Sequence, residues 1–255
     1  MAGIEAGAAI EAVKYLKEAY DAGWFDKLII HLKKKHRVLV LGATGAGKTA
    51  FLKSLKSVVP EAIDVMNRTE FVEKHEITLS KRPFIFKDTP GQIHHASRRR
   101  EAIKEAMKTR GGIAGIINLV SYGYHESRAM PKPQITSAGE VEEAFLQRQR
   151  QIELEMLREW TPLLGGTDSA NWLITVVTKA DLWWQQRADV MKHYETGAYF
   201  QSLSEAQALK PVVLEYSSVF QTFYGEGHMA GDFQDADRIR AKARMVQMLL
   251  AAINE

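Results

Sequence analysis

The chain has 255 residues, 45% apolar and 25% charged, the composition of an ordinary globular protein of one large or two small domains with a sizeable core. Its 34 Lys and Arg stand against 31 Asp and Glu, a formal charge of +3 without a sustained basic tail, so charge alone gives no indication of nucleic-acid binding. Cysteine is absent, which excludes disulfides, thiolate zinc sites and cysteine nucleophiles; it fits a reducing compartment, and a cytoplasmic location is the expectation.

No stretch approaches the roughly 18 consecutive apolar residues that a membrane span needs. The opening MAGIEAGAAIEAVKYLKEAY is interrupted by Glu5, Glu11 and Lys14, so neither a signal peptide nor a transmembrane segment is expected. Ile4, Ala8, Val13, Leu16 and Tyr20 recur at near-helical spacing and predict an amphipathic helix over residues 4–20, followed by a second segment around Trp24 to Lys35. These make an N-terminal helical extension, residues 1–35, packed on its own domain; a partner or peripheral membrane contact is the alternative.

From residue 36 the pattern changes to short β-rich apolar runs separated by helical segments. RVLVLG ends at Gly42, EITLS begins at Glu76, FIFKD ends at Asp88, GIAGIINLV ends at Val120, WLITVVT begins at Trp172 and PVVLEY begins at Pro211. Helices are expected over Lys48 to Ser57, Ser97 to Thr109, Glu140 to Trp160, Leu182 to Tyr194 and Asp235 to Ile253. Near-continuous apolar strands alternating with helices imply an α/β fold, a mostly parallel sheet covered on both faces. Right-handed crossovers then bring the carboxyl ends of the strands to one edge, where ligands bind. Residues 36–255 form this one domain, with an insert at about 121–170, longer than a simple crossover requires.

Gly42-Ala43-Thr44-Gly45-Ala46-Gly47-Lys48-Thr49 satisfies G-x-x-x-x-G-K-[ST] between a β-rich run and a helix-compatible one. Small residues at Gly45, Ala46 and Gly47 let backbone N–H groups converge on phosphate oxygens, and the helix that follows through Lys48, Thr49 and Ala50 points its positive end at the same charge. Lys48 adds a cation for the outer phosphates, and the Thr49 hydroxyl is placed to ligate Mg²⁺. A nucleoside di- or triphosphate is the expected ligand. At the next strand end, Asp88-Thr89-Pro90-Gly91 offers a carboxylate that can hold the metal through water and a glycine N–H that can face the terminal phosphate.

Thr178-Lys179-Ala180-Asp181 stands at a further strand end, and with the two preceding motifs it makes the chain resemble the Ras-type branch of P-loop GTPases, whose base-reading element is [NT]-K-x-D. The resemblance covers roughly residues 36–255, implies a Ras-like G domain, and identifies no subfamily. It implies that Asp181 accepts two hydrogen bonds from guanine, a pattern adenine cannot offer, that Lys179 lays its stem along the base, and that Thr178 supports the phosphate loop. EYSSV, residues 215 to 219, is similar to the family's E-x-S-A-K turn, which would place Ser217 and Ser218 near the guanine carbonyl; Val219 departs from the family lysine.

The resemblance also assigns Gln92 as the residue that orients the attacking water and calls for a threonine that senses the terminal phosphate and completes the Mg²⁺ shell. Thr69 is the choice, with Thr78 the weaker candidate; Arg68 beside Thr69, and His94 and His95 after Gln92, are lesser catalytic alternatives. Thr44 occupies a position that is glycine in Ras itself, which predicts slow intrinsic turnover. Arg98, Arg99 and Arg100 read as a solvated helix face, with an acidic partner surface as the alternative. Trp183, Trp184, Phe220, Phe223 and Tyr224 read as packing and edge contacts.

The expectation is therefore a Mg²⁺-dependent GTPase that binds GTP and GDP and acts as a switch for a protein effector or activator. A nucleotide-dependent homodimer is left open. A guanine-nucleotide-binding scaffold with negligible hydrolysis is the runner-up, and Asp181 argues against an ATPase or kinase-type P-loop enzyme.

Overall fold

The computed structural model describes residues 35–56, 73–79, 82–89, 96–108, 112–127, 132–136, 140–164, 170–205, 211–219, 223–225 and 232–253. The helix expected over 4–20 and nearly all of the segment after it lie outside these residues, as do Arg68, Thr69, Gly91, Gln92, His94 and His95.

In chain order the elements are β1 (His36–Gly42), α1 (Lys48–Lys56), β2 (Glu73–Leu79), β3 (Arg82–Asp88), α2 (Ala96–Lys108), β4 (Gly115–Val120), α3 (Glu143–Trp160), β5 (Trp172–Val177), α4 (Ala180–Trp183), α5 (Arg187–Glu195), α6 (Ala198–Glu205), β6 (Pro211–Glu215) and α7 (Asp235–Ala252). The strands form one sheet in the order β2-β3-β1-β4-β5-β6. Among the described residues only β2 runs antiparallel, against β3. The remaining pairs are parallel, as the alternation of strands and helices requires.

Side chains along each parallel strand divide between two cores, because successive residues face opposite sides of a sheet. Leu39, Leu41, Ile116, Val120, Leu173 and Val177 pack with Ile103 of α2, Leu157 and Trp160 of α3, Tyr194 of α5 and Tyr199 of α6. Val38, Val40, Ile117, Leu119, Ile174 and Val176 pack on the other side with Phe51, Leu52 and Leu55 of α1 and Ala241, Met245 and Leu249 of α7. Burial on both faces is why these strands read as continuous apolar runs. At the edge, β2 buries Ile77 and Leu79 and exposes Lys74, Glu76 and Thr78. Charges on an exposed edge discourage pairing with another chain.

Two polar side chains sit inside the first core. Asn118 of β4 and Thr175 of β5 are direct register partners, and both reach the Tyr199 hydroxyl, at 2.6 and 3.1 Å. Burial pushes the Tyr199 phenol up to about 12, so the group is a neutral hydroxyl throughout the physiological range.

Three departures from the expected elements have physical causes. The helix expected over Leu182 to Tyr194 is broken: Trp183 (φ −126°) and Gln186 (φ −101°) leave helical geometry, and the Trp183 indole N–H donates to the Thr178 carbonyl at 2.8 Å. α6 was not expected; its apolar contribution is confined to Tyr199 and Leu203, too sparse for a periodic signal. Within residues 121–170, α3 is the crossover between β4 and β5, and the additional chain is the segment before it, which carries an isolated bridge between Ile135 and Val141.

Candidate functional site

Strand register sets the site. Val40 pairs with Asp88, Gly42 with Leu119, Val120 with Val177, and Val177 with Glu215. The residues that follow these strand ends therefore emerge along one edge: the phosphate loop after β1, Thr89 after β3, Ser121 after β4, Thr178 after β5 and Tyr216 after β6.

The phosphate loop turns through Gly45 (φ +81°) and Gly47 (φ +87°), conformations that L side chains rarely adopt. A Cβ at Gly45 would also stand 2.5 Å from the backbone nitrogen of Glu126, so the loop lies directly against the segment after β4. Ala46 and Ala50 are buried, and Phe51 N–H donates to the Gly47 carbonyl at 2.8 Å as α1 begins. Lys48 opens α1 with Thr49 beside it. The Lys48 ammonium folds onto its own loop, donating to the Gly42 carbonyl at 2.9 Å and the Ala43 carbonyl at 3.2 Å. Burial lowers its pKa, nearby Asp88 opposes that shift and Arg99 adds to it. An anionic ligand at this loop would offset the cost of holding that charge away from water.

Asp88 is fully buried at the end of β3, and Thr89 after it donates its hydroxyl to the Val40 carbonyl at 3.1 Å. Thr44 sits in the loop with its hydroxyl oxygen buried and no hydrogen-bond partner among the described residues.

The turn after β5 is joined to the phosphate loop by Thr178. Its hydroxyl lies 2.7 Å from the Ala46 carbonyl and 3.0 Å from the Val120 carbonyl, and its N–H also donates to the Val120 carbonyl. Lys179 is in the left-handed region (φ +58°), which turns Asp181 back toward β6. There Ser217 donates its hydroxyl to Asp181 Oδ1 at 2.7 Å, and Ala180 N–H donates to the Tyr216 carbonyl at 3.0 Å. Ser217 thus orients the Asp181 carboxylate, whereas Ser218 is half-buried in the turn after it. The structure brings together Gly45, Ala46, Gly47, Lys48, Thr49, Ala50, Asp88, Thr178, Lys179, Asp181, Ser217 and Ser218 at one sheet edge; Thr69, Gly91 and Gln92 lie outside the described residues. Thr78, the weaker alternative, is an exposed residue of the outer strand β2.

Motif reading missed the segment Ser121 to Ser127. Here Glu153 of α3 is fully enclosed: its Oε1 accepts from Ser121 N–H at 2.8 Å and faces His125 Nε2 at 2.9 Å, while its Oε2 accepts from the Tyr194 hydroxyl at 2.5 Å. His125 Nδ1 faces Gln149 Oε1 at 3.1 Å. Burial pushes the Glu153 carboxyl up, but the hydrogen bond and charge of His125, with Ser121 and Tyr194, outweigh it and hold the group below its ordinary range. These side chains come from three segments, the stretch after β4, α3 and α5, and no motif announces them.

The arginine run does not form a uniform solvated face. Arg98 and Arg100 are exposed, but Arg99 is 1% exposed and forms a two-point ion pair with Glu159 of α3, its Nε donating to Oε1 at 3.2 Å. Helical spacing turns Arg99 inward while its neighbours point out. Trp183, Phe223 and Tyr224 are buried in packing, as expected of them.

A family model described as a 50S ribosome-binding GTPase matches residues 37–156. Among solved structures, the Arl6 (BBS3) small GTPase from Trypanosoma brucei with bound nucleotide analogue GppNp is similar at 11% identity and a TM-score of 0.46, covering 86% of this chain and 98% of that one. No curated protein matches the chain in sequence. The matched segment, just under half of the chain, holds the phosphate loop, β1 through β4 and most of α3, and over it the chain is similar to that GTPase family.

Proposed function

We propose that the chain hydrolyses GTP to GDP and phosphate with Mg²⁺ and acts as a nucleotide-dependent switch for a protein partner. The observation that carries the guanine reading is the Ser217–Asp181 hydrogen bond: a buried carboxylate with one oxygen steadied by a hydroxyl is held ready for two donors. Guanine presents N1–H and an exocyclic amine on that edge; adenine presents an acceptor at N1 and would offer the carboxylate no matching pair of donors.

The donor set fits Mg²⁺. Thr49 and Asp88 offer hard oxygen ligands, and Asp88 is buried close enough to Lys48 for its charge to act on the ammonium. Thr69 would add a further hydroxyl. When bound, Mg²⁺ would supply charge neutralisation at the outer phosphates. Lys48 would exchange its two loop carbonyls for phosphate oxygens, and the loop N–H groups would hold the same anion. Gln92 would orient water toward the terminal phosphate, a positional role that requires no covalent step. The segments carrying Thr69 and Gly91 would respond to the terminal phosphate, and a partner would read the difference.

Calorimetric titration with GDP, GTP and ATP tests the base. Binding of the guanine nucleotides with ATP at least roughly 10³-fold weaker is expected, and a preference for ATP would overturn the reading. Phosphate release by wild type and Gln92→Ala tests hydrolysis. A lower rate in the variant is expected, and equal negligible rates would instead leave a guanine-nucleotide-binding scaffold.

A further inference from the structure

We propose that Glu126 is a positioning residue that ties the base-reading lysine to the phosphate loop, so that guanine-nucleotide affinity depends on a carboxylate outside every recognised motif. The proposal rests on the guanine reading of Lys179 and Asp181 above.

Glu126 is 8% exposed and touches three parts of the site at once. Its backbone N–H donates a long hydrogen bond to the Gly45 carbonyl, 3.4 Å, on the side where Gly45 has no room for a side chain. Its carboxylate Oε2 lies 3.7 Å from Lys179 Nζ, and its Oε1 accepts the Tyr224 N–H at 3.1 Å. The Tyr224 hydroxyl in turn receives the Ser127 N–H at 3.1 Å, so the turn at 223–225 is clasped to the segment after β4. Phe223 from that turn places its ring 5.2 Å from Lys179 Nζ. The ammonium is thus held between a carboxylate and an aromatic ring, and the backbone at Lys179 is in the left-handed region.

The arrangement answers an electrostatic problem. Lys179 and Asp181 are two residues apart, and without another anion the ammonium would be drawn toward the carboxylate that must receive guanine. Glu126 supplies that other anion. The charged groups acting on Lys179 are Glu126 from the segment after β4 and Asp181 from its own turn. Burial lowers the lysine to about 8, and Glu126 is the foremost group opposing that fall. Losing the Glu126 charge would lower the lysine further and weaken its contact with a bound nucleotide.

The test is GDP affinity of the full chain by calorimetry, from pH 6.5 to 8.5, for wild type, Glu126→Gln, Glu126→Asp, Lys179→Met and the Glu126→Gln/Lys179→Met pair. Gln keeps an oxygen for the Tyr224 N–H, so it removes charge with little else. We expect Glu126→Gln to weaken GDP about tenfold in the wild-type background and little in the Lys179→Met background. In wild type, affinity falls as pH rises through the lysine's titration; in Glu126→Gln that fall moves to lower pH. Glu126→Asp retains the charge and keeps the wild-type midpoint. Equal losses in both backgrounds, or a midpoint displaced alike in the Gln and Asp variants, would make Glu126 a packing residue and overturn the proposal. Wild-type protein that binds no GDP would overturn the guanine reading itself, whereas tight wild-type binding unchanged in Glu126→Gln would overturn this inference alone.

Discussion

Thr178 and Ala46 are 132 positions apart and are joined by a single 2.7 Å hydrogen bond from hydroxyl to carbonyl. Replacing Thr178 with valine keeps the shape and removes the donor, leaving the buried Ala46 carbonyl without it. Leaving a buried acceptor unpaired costs about 1–3 kcal/mol. Thr178→Val is expected to weaken GDP roughly tenfold or more by calorimetry, with a lower unfolding midpoint. Unchanged affinity would show that the phosphate loop holds its form without the Thr178 hydroxyl.

Arg99 and its neighbours should differ sharply. Arg99→Ala leaves Glu159 half-buried without its guanidinium, and breaking such a pair typically costs about 3 kcal/mol. Arg98→Ala and Arg100→Ala remove exposed side chains and should stay within about 0.5 kcal/mol of wild type. Denaturant unfolding of the three variants measures this directly, and equal small effects would refute the inward reading of Arg99.

Glu153 gives the protein a defined acid sensitivity. Its folded pKa is lowered, so it contributes stability above the ordinary carboxylate range that is lost as pH falls through the folded value. Wild type should therefore lose more stability than Glu153→Gln between about pH 5 and pH 3, although Glu153→Gln starts lower because Ser121, His125 and Tyr194 lose their anion. Thermal midpoints across that range read the difference; parallel curves would remove Glu153 from the account.

Thr44→Gly is expected to raise single-turnover GTP hydrolysis. The side chain stands in the phosphate loop with a hydroxyl that has no partner among the described residues, so its removal costs little there. A roughly tenfold gain corresponds to about 1.4 kcal/mol of barrier. An unchanged rate would show that Thr44 does not crowd the terminal phosphate.

Much of this was legible in the sequence because the relevant signals are local. The phosphate loop announces itself through glycines at fixed spacing, and Gly45 and Gly47 do take positive φ. Several strand ends were readable because the buried run stops at a polar residue: Asp88, Ser121 and Thr178 all lie at such a stop. What could not be read is long-range pairing. SYGYHES contains no motif, yet its glutamate meets Lys179 and its histidine meets Glu153, contacts fixed by how α3 and β5 pack. Arg99 was misjudged for the same reason, since a triple-arginine run conceals which member faces Glu159.

The Tyr199 hydroxyl, shared between Asn118 and Thr175, gives the sheet an alignment key. Sliding β4 by one position would point Asn118 into the opposite, apolar layer and strip the phenol of a partner. The sheet edge that carries the candidate site inherits its accuracy from this remote contact, because Ser121 and Thr178 come into line only when Asn118 and Thr175 stand side by side.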